Sequence, residues 1–579
     1  MDYDDTRLVV GIDFGTTYSG FAYANKINPE IITNDTWPDQ IGQLKTNTVL
    51  QYDENFYQVE AWGCPALAKR QKRRDRSNPP KPIELFKLHL GDIPKENKPV
   101  LPPGLSYKRA ITDYLREIGD LNLIVQYNIF FLLYVNIISF LYGFTLIGKL
   151  IKDTVTTRWP NIKFMSQVKI VITVPAEFSE KSKSIMRECL FNAGLISDLH
   201  TVRLQFTTEP EAAAIYCMRT LAEHFDNPVG TSFLIVDCGG GTVDLTRRKV
   251  VSENKLGEIT ERTGGFCGSA YVDQEFIKFL ETKVGESAIE LLRKNNYNQF
   301  QYLVQEFCKH VKLLFSGEKS TYKPYELDLD EACPVLKQYV MGSFKDNLEE
   351  EDWLIELTYK NVKDMFDPII SKVLSLIKEQ LGSSKDRCTA MFLVGGFSES
   401  KYLQLKVKQE FKSQVPIISV PRQPMAAIVR GAVDYGLNTK IIKSRVLKYT
   451  YGTKTSPLWT SADPQTRKRP DGRIFKFFTL AEKGKHVDVD EVVSHSFSVA
   501  RPEQTSMDMD IYVTRNGSAK YCDEDGVDLL GNFSVAMPEL GIKRSVLYTL
   551  RFGEMEIRAT AKNKQTGKEY HTSFKLEFD

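Results

Sequence analysis

Gly11-Ile12-Asp13-Phe14-Gly15-Thr16-Thr17 follows the apolar run Leu8-Val9-Val10, and Val236-Asp237-Cys238-Gly239-Gly240-Gly241-Thr242 closes the apolar run Phe233-Leu234-Ile235-Val236. Each stretch reads as a buried strand ending in an acid, then a glycine-lined turn, then hydroxyls. That order suits a nucleoside triphosphate. Glycines let backbone N–H groups approach phosphate oxygens, hydroxyls donate to them, and a carboxylate holds a hydrated magnesium ion or orients water. One Asp-x-Gly turn on its own is ordinarily a hairpin. Two in matching order imply a duplicated architecture that grips one nucleotide from both sides.

The 579 residues suffice for two to four folding units with substantial cores. Basic and acidic residues nearly cancel, 76 against 74, which argues against nucleic acid as the main partner. The exception is Lys69-Arg70-Gln71-Lys72-Arg73-Arg74, which reads as a solvated loop before Pro79-Pro80, with a nuclear-import signal as the alternative. The nine cysteines show no metal-ligand spacing. Cys189, Cys217, Cys238 and Cys267 sit in apolar or motif contexts that predict small buried side chains and a reducing compartment. The N-terminus, Met1-Asp2-Tyr3-Asp4-Asp5, is acidic and lacks an apolar core, so no signal peptide is expected. The expected location is the cytoplasm, with the nucleus as the alternative.

Further motifs follow in order. Residues 168–174 alternate toward a strand that runs into Pro175-Ala176-Glu177-Phe178, and residues 179–193 read as a capped helix closed by Gly194. In Thr207-Thr208-Glu209-Pro210-Glu211-Ala212-Ala213-Ala214, Pro210 suits the first turn of a helix and Glu209 its N-terminus, where it can polarise a water or an ion. Met391-Phe392-Leu393-Val394 is a third apolar strand. It runs into Gly395-Gly396-Phe397-Ser398, where the backbone can pass close under a base or ribose.

This series of motifs resembles the ATPase domain of the seventy-kilodalton heat-shock (DnaK-type) chaperones, within the actin–sugar-kinase superfamily; the likeness covers residues 8–437. The absence of a Gly-x-x-x-x-Gly-Lys loop agrees, because that fold holds phosphates between two hairpins. The resemblance implies an α/β fold with a duplicated, actin-like (ribonuclease-H-like) two-lobed ATPase domain over residues 1–440. It also implies ATP with Mg2+, and K+ as a further candidate ion. Asp13 and Asp237 resemble the acids around magnesium and its waters, and Asp244 an acid assisting ion coordination. Gly15, Thr16, Thr17 and Tyr18 resemble the first phosphate loop, and Gly239, Gly240, Gly241 and Thr242 the second. Glu209 resembles the carboxylate that places the attacking water. Lys87, in Glu84-Leu85-Phe86-Lys87-Leu88-His89-Leu90-Gly91, is the candidate for the catalytic lysine; a surface lysine on an amphipathic segment is the alternative.

On the adenosine side, Cys308-Lys309-His310-Val311-Lys312-Leu313-Leu314-Phe315-Ser316 resembles the helix that clamps sugar and base, with Lys312 and Ser316 matching. Leu313, Lys309, Glu399, Phe397 and Met425 depart from the family pattern, whereas Gly395 and Gly396 keep it. Lys183 stands where an interdomain switch usually has arginine. These departures, with Gly396-Phe397-Ser398-Glu399-Ser400 and Tyr449-Thr450-Tyr451-Gly452, resemble the divergent branch known as types twelve-A and twelve-B.

The last third reads as all-β. Strands at 509–513 and 547–552 stand among turns at Asn516-Gly517, Asp525-Gly526 and Thr566-Gly567. It resembles the chaperones' peptide-binding β-sandwich, over residues 449–579. A basic segment at 440–448 replaces the expected acidic linker, and no helical lid is expected after the sandwich. Residues 121–147 are an anomaly, apolar and uncharged at a length that could span a bilayer. A single crossing would part Asp13 from Asp237. Excision instead joins Ile111, Leu115, Ile118, Leu150 and Ile151 into one helical stripe, so an unspliced intron is the preferred reading. The expected partners are unfolded or extended polypeptide segments and co-chaperones, with no nucleic acid and no membrane. Three function classes stand: a chaperone-like ATPase with weak hydrolysis, a nucleotide-binding scaffold or sensor, and a small-molecule kinase of the same fold.

Overall fold

The computed structural model describes residues 5–67, 80–91, 94, 98–119, 150–175, 178–199, 201–225, 229–252, 255–260, 262–488, 491–552 and 558–572. It is a mixed α/β chain with several sheets, and it divides into two compact units. The first holds residues 1–177, 186–246 and 262–438; the second holds 178–185, 247–261 and 439–579.

The first unit contains the paired motifs. Strands β1 (Leu8–Phe14), β2 (Tyr18–Asn25), β3 (Ile32–Thr33), β4 (Thr46–Asn47), β5 (Val168–Val174) and β6 (Leu204–Thr208) make a sheet of order β6-β5-β1-β2-β3, with β4 also on β2. All seven residues of β1 are buried, as its unbroken apolar run requires of a strand with a parallel neighbour. Asp13 pairs in register with Thr173 of β5 and Gly20 of β2. Helix α1 (Glu209–Ala222) starts directly after β6. Thr208 caps it by accepting the Glu211 N–H at 3.3 Å, a bond whose loss costs ~1 kcal/mol. Pro210 sits in its first turn, as expected.

A second sheet in this unit contains β7 (Ser232–Cys238) and the start of β8 (Val243–Ser252). Helices α2 (Ala270–Val284) and α3 (Tyr297–Phe307) follow, then β9 (Ala390–Val394), β10 (Ile417–Ser419) and helix α4 (Ala427–Leu437). The strand order is β10-β9-β7-β8. β7 is also wholly buried, and Asp237 pairs with Val394 of the parallel β9. Leu234, Val236, Val272, Phe276, Phe307 and Leu393 share one apolar core, in which the rings of Phe276 and Phe307 stack 4.0 Å apart. Thus Asp13 and Asp237 are each the next-to-last residue of a buried strand.

Other expectations meet the structure here. Ile111, Leu115 and Ile118 on the helix Tyr107–Gly119 are buried, as is Ile151 on the helix Leu150–Arg158. The apolar insertion at 121–147 and the basic run at 69–74 lie outside the described residues. Among the described residues no helix is long and apolar enough to cross a membrane. Cys189, Cys217, Cys238 and Cys267 are buried as expected, and all nine cysteines are free.

The second unit holds two four-stranded antiparallel sheets. One runs Lys476–Ala481, Thr450–Thr455, Ser506–Thr514, Val527–Ala536; the other runs Val492–Ser498, Ser545–Arg551, Arg558–Asn563, Glu569–Thr572. Met509 and Ile511 from the first share a core with Tyr548, Leu550 and Ala559 from the second. The turns at Asn516-Gly517 and Asp525-Gly526 belong to one long connection between Thr514 and Val527 rather than to two hairpins. Glu524 organises that connection by accepting the N–H groups of Lys520 and Tyr521. The basic segment after residue 440 is the strand Ile442–Val446, parallel to Lys255–Glu258. There Glu258 accepts the Val446 N–H at 2.9 Å and pairs with buried Arg248 at 3.3 Å.

Candidate functional site

The two glycine turns meet in the first unit. Gly15, Thr16 and Thr17 join β1 to β2, and Tyr18 is the first residue of β2. Gly239 to Thr242 join β7 to β8, with the Gly239 N–H donating to the Thr242 carbonyl at 2.9 Å. A Cβ placed on Gly240 would lie 2.2 Å from Oγ1 of Thr17, so the backbone of the second turn lies against a side chain of the first and a larger residue would force that side chain aside.

Beneath the turns lies a cluster of acids. Asp13, Glu209, Asp237 and Asp244 are all buried. Asp237 is pushed well above the usual carboxylate range by its burial, then by Asp244, Glu209 and Asp13, with Lys45 opposing. Its Oδ1 has no hydrogen-bond partner. Two ammonium groups answer the four acids. Nζ of Lys45 lies 2.5 Å from Oδ2 of Asp13, and Nζ of Lys87 lies 2.9 Å from Oε1 of Glu209. Burial alone would lower Lys45; Asp13 above all, with Asp237 and Glu209, outweighs it and holds the lysine above its ordinary value. Thr173 donates to the other Asp13 oxygen at 3.2 Å.

Lys87 is 2% exposed, on the short 3-10 turn Phe86–Leu90, and its ammonium also lies over the Phe14 ring at 5.5 Å. The alternative of a surface lysine is therefore rejected. Glu209, at the head of α1, has the helix N-terminus behind it.

The buried Oδ1 of Asp237, without a hydrogen-bond partner, suits a positively charged group. The donor set fits a cation bound by hard oxygens. Among the described residues no group of three or more His, Cys, Asp or Glu is placed to hold a metal ion directly.

Away from the acids, Gly395 follows β9 with φ +83°, and its N–H donates to the Pro424 carbonyl at 2.9 Å. A Cβ on Gly395 would lie 2.4 Å from Oδ1 of Asp237, which ties this glycine to the acid cluster as well. Gly396 faces Met425, whose Cε would lie 3.6 Å from an added Cβ. Lys312 is buried, with Nζ 2.7 Å from Oδ1 of Asp273, and the Cys308 thiol lies 3.3 Å from the same oxygen. The Tyr18 hydroxyl is within electrostatic reach of this group. Tyr18 is 44% exposed as a residue, yet desolvation of that hydroxyl, with Cys308 and Asp273, raises it to about 12 against the pull of Lys312.

The expected clamp helix is shorter than its sequence suggests. α3 ends at Phe307, a π-turn covers Cys308–Lys312 with Leu313 N–H bonding back to the Cys308 carbonyl, and Leu313 and Leu314 are 64% and 72% exposed. Ser316 lies beyond, its hydroxyl accepting the Glu318 N–H.

A model described as a domain of unknown function (DUF8340) matches residues 226–419. The chain is 26% identical to heat shock 70 kDa protein 12A of Homo sapiens, across 97% of this chain and 90% of that protein. It is 23% identical to heat shock 70 kDa protein 12B of Homo sapiens, across 72% and 71%. It is 25% identical to chaperone protein HscA of Buchnera aphidicola, across 75% and 70%. The chain is thus similar, along nearly its whole length, to heat-shock-seventy proteins of the divergent twelve-A/twelve-B branch.

Several residues at the site belong to no motif in the sequence. Lys45 precedes a two-residue strand in an aperiodic loop, and only the pairing of β4 on β2 carries it to Asp13. Thr173 could have been found, since it faces Asp13 once β1 and β5 are aligned in parallel. Arg262 donates to the Thr208 cap at 3.1 Å, and Asp273 holds Lys312; neither belongs to a motif.

Proposed function

We propose that this chain is an ATP-binding and ATP-hydrolysing chaperone-like protein. Residues 1–440 form a duplicated, actin-like two-lobed nucleotide-binding domain, and residues 449–579 a β-sandwich that takes extended polypeptide segments, with co-chaperones as further partners. The family relationship supports nucleotide binding and chaperone-like action in general. The observation that carries the nucleotide reading is Asp237, buried among three other acids with an unpartnered oxygen where the two glycine turns meet.

In this reading Asp13, Asp237 and Asp244 hold hydrated Mg2+, with K+ as a further candidate ion. The metal supplies charge neutralisation to the phosphates. Backbone N–H groups of Gly15 to Thr17 and Gly239 to Thr242 donate to phosphate oxygens, and the Thr17 and Thr242 hydroxyls add to them. Lys87 donates to Glu209 and orients it. Glu209 then accepts a proton from water as it attacks the terminal phosphorus. Buried free cysteines support a reducing compartment, hence the cytoplasm.

Titration of the purified chain with labelled ATP and Mg2+, followed through a single turnover, tests the proposal. Binding and release of phosphate support it; no binding refutes it. Tight binding without phosphate release favours a second reading, a nucleotide sensor, which exposed Leu313 and Lys309 already motivate.

A further inference from the structure

Asp13 and Asp237 occupy matching places but differently furnished ones. Both oxygens of Asp13 are engaged, Oδ2 by Lys45 at 2.5 Å and Oδ1 by Thr173 at 3.2 Å. Oδ1 of Asp237 has no hydrogen-bond partner. The cation on Asp13 is also firmly mounted. β4 pairs with β2 through Thr46 on Ser19 and Asn47 on Tyr18. The Thr48 N–H donates to the Thr17 carbonyl at 2.8 Å, and its hydroxyl to the Gly15 carbonyl at 2.9 Å. The segment that bears Lys45 is thus stitched along the first glycine turn. The lysine's stem runs over Gly20, where an added Cβ would come 3.0 Å from its Cγ. Its side chain is 11% exposed.

We propose that Lys45 is a resident counter-cation of the phosphate end, which lets this chain bind a nucleoside triphosphate with little help from a divalent ion. A polyphosphate entering a cluster of four acids meets like charge, and each fixed ammonium beside those acids removes part of the repulsion. Lys87 does this for Glu209 and Lys45 does it for Asp13. Lys45 also competes with a hydrated metal for Asp13. Its loss should therefore weaken metal-free nucleotide binding much more than metal-loaded binding. The inference rests on the nucleotide reading above.

The test is the dissociation constant of a fluorescent ATP analogue on the full chain, measured in excess EDTA and in excess Mg2+. For the wild type the two values should differ by less than about tenfold. In Lys45→Met the difference should exceed about a hundredfold, with the loss in the EDTA arm. Lys45→Arg, which keeps the charge, should stay near the wild type. Gly20→Ala, which presses a methyl against the Leu44 carbonyl and the lysine stem together, should move toward Lys45→Met. An equal loss in both arms of Lys45→Met, or a wild-type difference above about a hundredfold, overturns the inference while leaving a nucleotide site in place. The wild-type measurement stands even if Lys45→Met does not fold. No binding by the wild type in either medium overturns the nucleotide reading, and this inference with it.

Discussion

The acid end of the site and its adenosine end are built to different tolerances. At the acid end, Asp13, Glu209, Asp237 and Asp244 sit on strand ends and a helix N-terminus, all buried. The turns above them touch at Gly240 and Thr17. At the adenosine end the chain leaves α3 through a π-turn, exposes Leu313 and Leu314, and commits Lys312 to Asp273. Regular elements fix positions to fractions of an ångström, whereas a helix terminus followed by a loop can drift in sequence without unsettling the core. Under the proposed function, phosphate chemistry is then the more constrained part of this molecule and base selection the looser part.

The sharpest way to break that contrast is Asp237→Asn. It should abolish Mg2+-dependent turnover and leave ATP binding in Mg2+ no tighter than in EDTA. Because it also removes a charge crowded by three other acids, the ligand-free protein should melt no lower than the wild type. Unaltered turnover would remove the acid end from function.

Glu209→Gln comes next. Single-turnover hydrolysis should slow by roughly 10²–10⁴ while ATP affinity stays within a few fold, because the group acts on water rather than on phosphate. Equal losses in binding and turnover would give Glu209 a structural part instead.

Smaller effects belong to the adenosine end. ATP and GTP should compete within about tenfold of each other, ~1.4 kcal/mol. Leu313→Arg, at a position 64% exposed, should leave stability within about 0.5 kcal/mol and sharpen the preference for ATP. Strong rejection of GTP by the unaltered chain would show that residues elsewhere read the base. The smallest expected effect concerns peptide. Affinity of residues 449–579, in the full chain, for extended apolar peptides should change less than about tenfold between ATP and ADP. Fluorescent-peptide titrations in both nucleotides decide it. Lys183, paired with Glu180 at 2.6 Å, lacks the fork with which arginine could grip a second partner.

Much of the acid end was legible because its signals are local. An unbroken apolar run reads as a buried strand, the acid next to its end reads as a ligand, and the glycines read as a turn. Glu209 and Pro210 likewise announced a helix start. Lys45 was illegible because nothing in Gln43-Leu44-Lys45-Thr46 is periodic, and its role arises from strand pairing between segments far apart in sequence. The π-turn was illegible for another reason. Helical spacing continues through Phe315 in the sequence, and one five-residue hydrogen bond, from Leu313 N–H to the Cys308 carbonyl, shifts the register without altering composition.

Gly395 sets a limit on how this chain can vary over generations. Its φ of +83° disfavours any side chain, and a single methyl there would press on the very oxygen of Asp237 that lacks a partner. Exposed Glu399 nearby can change without that cost, and under the proposed function such a change would alter which base is preferred. A side chain at 395 would press on that carboxylate and, at 2.5 Å, on the backbone carbonyl of Cys238 in buried β7. Inherited substitutions at this one codon are therefore expected to disturb the end of a buried strand together with the acid it carries.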